Sequence, residues 1–191
     1  VAGLHPVATR AKIQRMSAAR ALVESLLKAR KLDATLASAA QPAEAIRTAP
    51  TGLAWLDAQM AGGWPFGETS EIVGPVSSGR TAVLWASLAA ATQRGELAAL
   101  VDPGDHFDPV TAASMGVDLD RVLWARGDAA DPASSRALDR AIKAFGLVLD
   151  GGGFGLVAID LGEIPPRTLA RLPFTTWRRL QRLVDGRDTV A

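Results

Sequence analysis

Apolar residues near the start of the chain recur every three or four positions. They are Ile13, Met16, Ala19, Val23 and Leu26. This spacing puts them on one face of a helix, which we predict from about residue 7 to residue 36. The stretch "ASAAQPAEAIRTAP" (37–50) then brings two prolines and less hydrophobicity, which favours a linker. Residues 1–50 are therefore predicted to be a helical arm and linker, whose stripe of Ile13, Met16, Val23 and Leu26 contacts the chain's own core, a second copy or another protein.

After residue 51 the pattern changes to short apolar runs separated by helical periodicity. The runs are "TSEIV" (69–73), "LAALVD" (97–102), "RVLWA" (121–125) and "GLVAID" (155–160). Helices are predicted between them, over residues 81–93, 109–115 and 133–149. Continuous apolar runs are typical of buried parallel strands. The alternation predicts an α/β core over residues 51–191, with a mainly parallel central sheet flanked by helices.

Composition narrows the class of protein. The chain has 191 residues, 48% of them hydrophobic and 21% charged, and no cysteine. A buried core is therefore expected, and a disulfide scaffold or thiolate metal site is excluded. The first residues lack the continuous apolar segment of a secretory signal, and "AVLWASLAAATQ" is too short to span a bilayer. We expect a soluble cytoplasmic protein with no membrane contact.

The segment "EIVGPVSSGRTAVL" (71–84) has the spacing of a phosphate-binding loop, with arginine in place of the usual lysine. Gly74 and Gly79 would permit the tight backbone path, and Thr81 would place a hydroxyl on magnesium. Asp160, at the end of an apolar run, would orient that ion. Because Arg80 is wider than lysine, we expect at most weak Mg-ATP binding and no hydrolysis. The alternative is a simple turn that leads into a helix.

Several motifs in fixed order resemble the RecA recombinase family. "TGLAWLDAQMAGGWPFGETSEIVGPVSSGRT" has that family's opening, its glycine-rich turn and its loop. "LVDPGDHFDPVTAASMGVDLDRVLW" resembles the second strand and the helix start that follows it. "GLVAID" resembles the strand that carries the magnesium aspartate. The resemblance covers residues 51 to 160 and implies a RecA-like core.

Departures from the family pattern decide the expected function. Where RecA has the glutamate that activates water, this chain has Gly104 beside Asp105, and glycine cannot act as a base. The DNA-binding loops of RecA are shortened here, and the core is expected to be short at its C-terminal end. These features resemble the ImuA group of RecA-related accessory proteins. The resemblance implies a non-enzymatic scaffold in the SOS response and translesion synthesis, with RecA, an ImuB-type subunit or an error-prone polymerase as partners. The alternative is a working ATPase that binds ATP and single-stranded DNA.

The C-terminal segment predicts a basic amphipathic helix. Trp177, Leu180 and Leu183 share one face, and Arg178, Arg179 and Arg182 lie opposite, where they would bind nucleic acid phosphates. Since no aromatic residue stands among these arginines, an ordinary outer helix with a solvated face is favoured.

Two further expectations concern single residues. Trp64, in the Gly-Gly-Trp-Pro turn, is expected to be exposed. His5 and His106 are too few and too far apart in sequence to predict a metal site.

Overall fold

A computed structural model describes residues 47–127 and 134–191. The predicted arm, with Ile13, Met16, Val23 and Leu26, lies outside these residues. In chain order the elements are β1 (Thr48–Ala49), α1 (Ala54–Gln59), β2 (Trp64–Pro65), α2 (Arg80–Gln93), β3 (Ala98–Asp102), α3 (Pro109–Ser114), a 3₁₀ turn (Leu119–Arg121), β4 (Val122–Arg126), α4 (Ser135–Gly151), β5 (Leu156–Ile159), α5 (Pro166–Leu169) and α6 (Phe174–Val184). None of the helices in these two ranges is both long and apolar enough to cross a membrane.

The centre of the fold is a parallel sheet of three strands in the order β4-β3-β5. Strand β3 is buried along its whole length, because it pairs on both sides and is covered on both faces. Strands and helices alternate along this part of the chain, which confirms the predicted α/β class. A separate antiparallel pair, β1 with β2, joins Thr48 to Pro65 and Ala49 to Trp64.

Two apolar layers cover the sheet, and the alternation of side chains along β3 separates them. Ala98 and Leu100 face α2, where Leu88 and Ala91 are fully buried. Ala99 and Val101 face the opposite layer, formed by α4 and α6. The members of that layer include Ile142, Phe145, Leu149, Leu180 and Val184.

The prediction of a strand at residues 69–73 is wrong. Gly67 donates its N–H to the Thr189 carbonyl (2.9 Å) and Ser70 donates to the Ala191 carbonyl (2.7 Å). Residues 189–191 in turn bridge to β5. Residues 71–73 run past this pairing and have no hydrogen-bonded neighbour in the described part of the chain, and Val73 is 79% exposed. An apolar run without a neighbouring strand does not form a ladder.

Trp64 is also placed differently from the expectation. Its side chain is only 8% exposed, and its indole Nε1–H donates to Ser87 Oγ on α2 at 2.8 Å. Ser87 Oγ in turn donates to the Val83 carbonyl, also at 2.8 Å. The glycine-rich turn is therefore held against α2, the helix that begins at the phosphate loop.

Candidate functional site

Two residues of the loop before α2 have positive φ angles. Gly79 has a φ of +90° and directly precedes the helix, and Ser77 also has a positive φ of +63°. Within the loop, Ser78 donates its N–H to the Pro75 carbonyl at 3.2 Å. No side chain of the described residues caps α2, so its first N–H groups are available to an anion.

Gly74 lies where a side chain would collide with the loop. A Cβ at this position would stand 2.4 Å from Ser78 Oγ and 3.7 Å from Arg80 Cγ. The glycine therefore allows the loop to close over the start of the Arg80 side chain. Thr81, on the first turn of α2, is exposed and makes no hydrogen bond through its hydroxyl among the described residues.

The side chains of Arg80 and Asp160 both lie near the backbone of Gly162. A Cβ on Gly162 would be 3.0 Å from Asp160 Oδ1 and 3.6 and 3.7 Å from the two Arg80 terminal nitrogens. Gly162 donates its N–H to Asp160 Oδ1 at 2.8 Å, which fixes the carboxylate. The sequence predicted both residues for the nucleotide site, and in the structure both side chains lie near Gly162 without an ion pair between them.

Thr81 and Asp160 are the residues that would hold the magnesium ion that the resemblance to RecA implies. Magnesium is held by oxygen ligands in near-octahedral geometry. The guanidinium of Arg80 offers only N–H donors and is therefore not a metal ligand. In the two ranges that the structure describes, no group of three or more His, Cys, Asp or Glu side chains could hold a metal ion.

The position of the family's catalytic glutamate has no side chain. Gly104 is buried, and a Cβ there would lie 2.3 Å from His106 Nδ1. Its neighbour Asp105 is turned toward β4, where both carboxylate oxygens accept hydrogen bonds from Arg126 at 2.7 Å. This bond lowers the pKa of the Asp105 carboxyl and raises the pKa of Arg126. Asp105 is therefore a weak base that is already fully engaged.

The contacts that hold the loop after β3 in place were not predicted from the sequence. Asp102, at the end of β3, is 2% exposed, and its Oδ2 accepts the Phe107 N–H (2.8 Å) and the Trp124 indole N–H (3.2 Å). Arg126 lies over the Trp124 ring, with its Cζ 4.4 Å from the ring centroid. The only signal in the sequence was an aspartate that ends an apolar strand.

Helix α6 is anchored by apolar residues and carries its arginines outward. Leu180 and Val184 are buried, and α6 begins after Pro173, as predicted. Arg178, Arg179 and Arg182 are exposed, and none forms an ion pair with another described residue.

Two partly or largely exposed aromatic residues precede these arginines on α6. Phe174 is 71% exposed and stands four residues before Arg178, on the same side of the helix. Trp177 is also 37% exposed. The outer face of α6 therefore carries an exposed ring one turn before its exposed arginines.

The fold defines an α/β protein with a parallel central sheet, and the loop before α2 has the sequence spacing of a phosphate loop with arginine in place of lysine. The family model described as the RecA N-terminal domain matches residues 20–160, and the chain belongs to that family. It is similar to Protein RecA of Prochlorococcus marinus (strain MIT 9303), Synechococcus sp. (strain CC9605) and Parasynechococcus marenigrum (strain WH8102). Each is 41% identical over 88 residues, which are 46% of this chain. The matched region spans only 23% to 24% of the relatives' length.

Proposed function

We propose that this protein is a cytoplasmic RecA-related accessory protein that does not hydrolyse ATP and acts by binding other proteins of the DNA damage response. The resemblance to the ImuA group makes translesion synthesis the proposed process. RecA, an ImuB-type subunit and an error-prone polymerase are the proposed partners. The observation that carries the proposal is the catalytic position, where Gly104 has no side chain and Asp105 is paired with Arg126.

Hydrolysis of a phosphoanhydride requires a group that positions and deprotonates water. Gly104 has no such group, and the neighbouring carboxylate of Asp105 has a lowered pKa and two hydrogen bonds from Arg126. Moving Asp105 into place would break that pair and change a backbone held at a φ of +57°. These features support a core that serves as a scaffold.

A phosphate-release assay with Mg-ATP tests the absence of hydrolysis. We expect the wild-type protein to match the buffer blank, while a RecA protein serves as the positive control. The Asp160→Asn variant identifies contamination, because a contaminating ATPase would be unaffected by this change. Turnover in the wild type that Asp160→Asn abolishes would contradict the proposal.

A binding assay tests the proposed partners. The full chain is used as bait for RecA, the ImuB-type subunit and the polymerase. We expect capture of at least one of them, and its loss in Met16→Asp/Val23→Asp, because an acid on the predicted stripe cannot be buried. Leu147→Asp is the matched control, since Leu147 is 65% exposed on α4. Capture of none of the three proteins by the wild type would exclude this role.

A second candidate function is binding of single-stranded DNA through α6. The exposed Phe174 beside the unpaired Arg178 and Arg182 favours it, because rings stack on bases and arginines contact phosphates. Fluorescence anisotropy with an oligo-dT strand at several salt concentrations tests it. Arg178→Ala/Arg182→Ala should weaken binding and reduce the salt slope by about 1.4. The matched control is Arg136→Ala on α4, and equal effects of the two variants would exclude α6 as the site.

A further inference from the structure

We propose that the outer face of α6 is a docking surface for a second copy of this chain, which it contacts at an apolar cavity beside β4. The contact joins two different surfaces of the two copies, so it is heterologous. It goes beyond the proposed function, because self-association requires none of the three proposed partners.

The cavity lies at the edge of the sheet, where β4 pairs only with β3. Its volume is about 180 Å³, and it is lined by Phe107, Pro109, Leu119, Val122 and Trp124. An apolar cavity of about 150 Å³ in a protein admits a benzene ring. Leu119 is 39% exposed, so the cavity can be reached from solvent. The cavity is therefore large enough for one aromatic side chain.

The outer face of α6 carries an aromatic side chain that is free to enter such a cavity. Phe174 is 71% exposed, and Arg178 and Arg182 follow it at intervals of four residues, which puts the three side chains in one row. Each interval is about 6 Å along the helix axis. Neither arginine forms an ion pair with another described residue. Aromatic residues and arginines are the residue types enriched among those that dominate protein interfaces.

The charges that flank the cavity are opposite to those on α6. Asp118 and Asp120 stand on either side of Leu119, which lines the cavity. Asp118 is paired with Arg121, whereas Asp120 forms no ion pair with a described residue. Residues 108–123 hold three aspartates against one arginine, while α6 holds three arginines and no acid. A ring of one copy in the cavity of the next would therefore bring the arginines to these acids.

The two surfaces lie on opposite sides of the sheet, which favours contact between copies over contact within one copy. Val122 and Trp124 pack in the layer of α2, whereas Leu180 and Val184 of α6 are buried in the layer of α4. One copy therefore offers both surfaces at once, and more than two copies can join.

Sedimentation-velocity measurements on the full chain over a range of concentrations test the proposal. One helix face against one cavity is small for a stable interface, so we expect a dissociation constant on the order of 10 to 100 µM. Species larger than a dimer should form at the highest concentrations. Salt at about 0.5 M should weaken the association, because it screens exposed charges. A chain that stays monomeric up to several hundred micromolar overturns the proposal.

Substitutions on either surface should have the same effect. Phe174→Ala removes the ring, and Asp120→Arg reverses the charge beside the cavity, so each should weaken self-association by about tenfold. The matched controls are Leu147→Ala and Arg136→Glu, which change exposed residues of α4 and should associate as the wild type does. Thermal melts of the four variants exclude unfolding as the cause of any change.

A mixture of the two interface variants tests whether the contact is heterologous. Phe174→Ala keeps an intact cavity, and Asp120→Arg keeps an intact α6. The mixture should therefore form a one-to-one dimer with near wild-type affinity and nothing larger. Association that is lost in only one of the two variants, or that does not recover in the mixture, overturns the proposal.

Single-stranded DNA is the other occupant to be tested on α6. An oligo-dT strand that binds the wild type and Asp120→Arg equally, with no self-association in either protein, would assign α6 to DNA and overturn the proposal. Failure of self-association leaves the proposed function intact, because capture of other proteins and the absence of hydrolysis are measured separately.

Discussion

Replacing Trp64 by phenylalanine tests whether the glycine-rich turn is held to the helix of the phosphate loop. The indole N–H of Trp64 donates to Ser87 Oγ at 2.8 Å, and the side chain is 8% exposed. Ser87 donates onward to the Val83 carbonyl, so the turn is linked to the first half of α2. Phenylalanine retains an aromatic ring but removes the donor and part of the buried surface.

The expected loss of stability follows from these contacts. A buried hydrogen bond contributes about 1 kcal/mol to the free energy of unfolding. The smaller ring leaves unfilled space in a packed layer, which costs roughly a further 1 kcal/mol. We therefore expect Trp64→Phe to lower the free energy of unfolding by about 2 kcal/mol and the melting temperature by about 4–8 °C.

Urea denaturation followed by far-UV circular dichroism measures this change without relying on tryptophan emission. The matched control is Trp55→Phe, because Trp55 is 60% exposed on α1 and takes the same substitution. We expect the control to change stability by less than about 0.5 kcal/mol. If the two substitutions cost the same, burial of Trp64 would not be the cause.

A double-mutant cycle isolates the hydrogen bond from the packing. Ser87→Ala leaves the indole N–H of Trp64 buried without an acceptor, whereas the double variant removes both partners. We expect a coupling of about 1 kcal/mol between the two positions. Additive effects would refute the bond and would attribute the whole loss in Trp64→Phe to packing.

Three further predictions concern other parts of the described chain. Because the hydrogen bond from Arg126 lowers the pKa of Asp105, the stabilisation by this pair is present above the ordinary carboxyl pKa of 3.8 and is lost as the pH falls through the lowered value. Urea melts of wild type and Asp105→Asn should therefore differ at neutral pH and converge in acid. Leu180→Ala should cost about 2–5 kcal/mol by urea denaturation, whereas Phe174→Ala on the same helix should cost less than about 0.5 kcal/mol. Gly63→Ala should cost roughly 3 kcal/mol in the same assay, because φ is +128° and the new Cβ would stand 2.0 Å from a carbonyl of β1.

The sequence predicted those elements whose pattern is set by burial alone. The runs "LAALVD", "RVLWA" and "GLVAID" became β3, β4 and β5 with shifts of about one residue at their ends. Helix α3 begins as expected, with Asp108 accepting the Val110 N–H and Pro109 at the first position. These signals are local, so periodicity and capping chemistry are sufficient to identify them.

The errors have a common physical cause, which is dependence on distant partners. The run at residues 69–73 has the composition of a strand, but pairing with residues 189–191 covers only its beginning. Trp64 stands in a turn, yet Ser87 on α2 provides a buried acceptor for its indole. Neither partner follows from composition, because each depends on how segments far apart in sequence are packed.

The sequence predicted which residues belong to the candidate site, but not the contacts that their side chains make. The loop spacing identified Gly74 and Arg80, and the end of the apolar run "GLVAID" identified Asp160. Neither signal indicated that the side chains of Arg80 and Asp160 would both lie near Gly162. The pairing of Asp105 with Arg126 spans 21 residues and depends on the parallel register of β3 with β4.

Two separate departures from the family pattern act on two separate requirements of ATP hydrolysis. Arg80 replaces the usual lysine of the loop, and therefore concerns binding of the phosphates. The missing side chain at Gly104 concerns activation of water, and it lies on the loop after β3 that Asp102 holds in place. Because the two features involve different strands and share no contact among the described residues, neither follows from the other. Their joint presence supports the proposed scaffold over an ATPase with one altered residue.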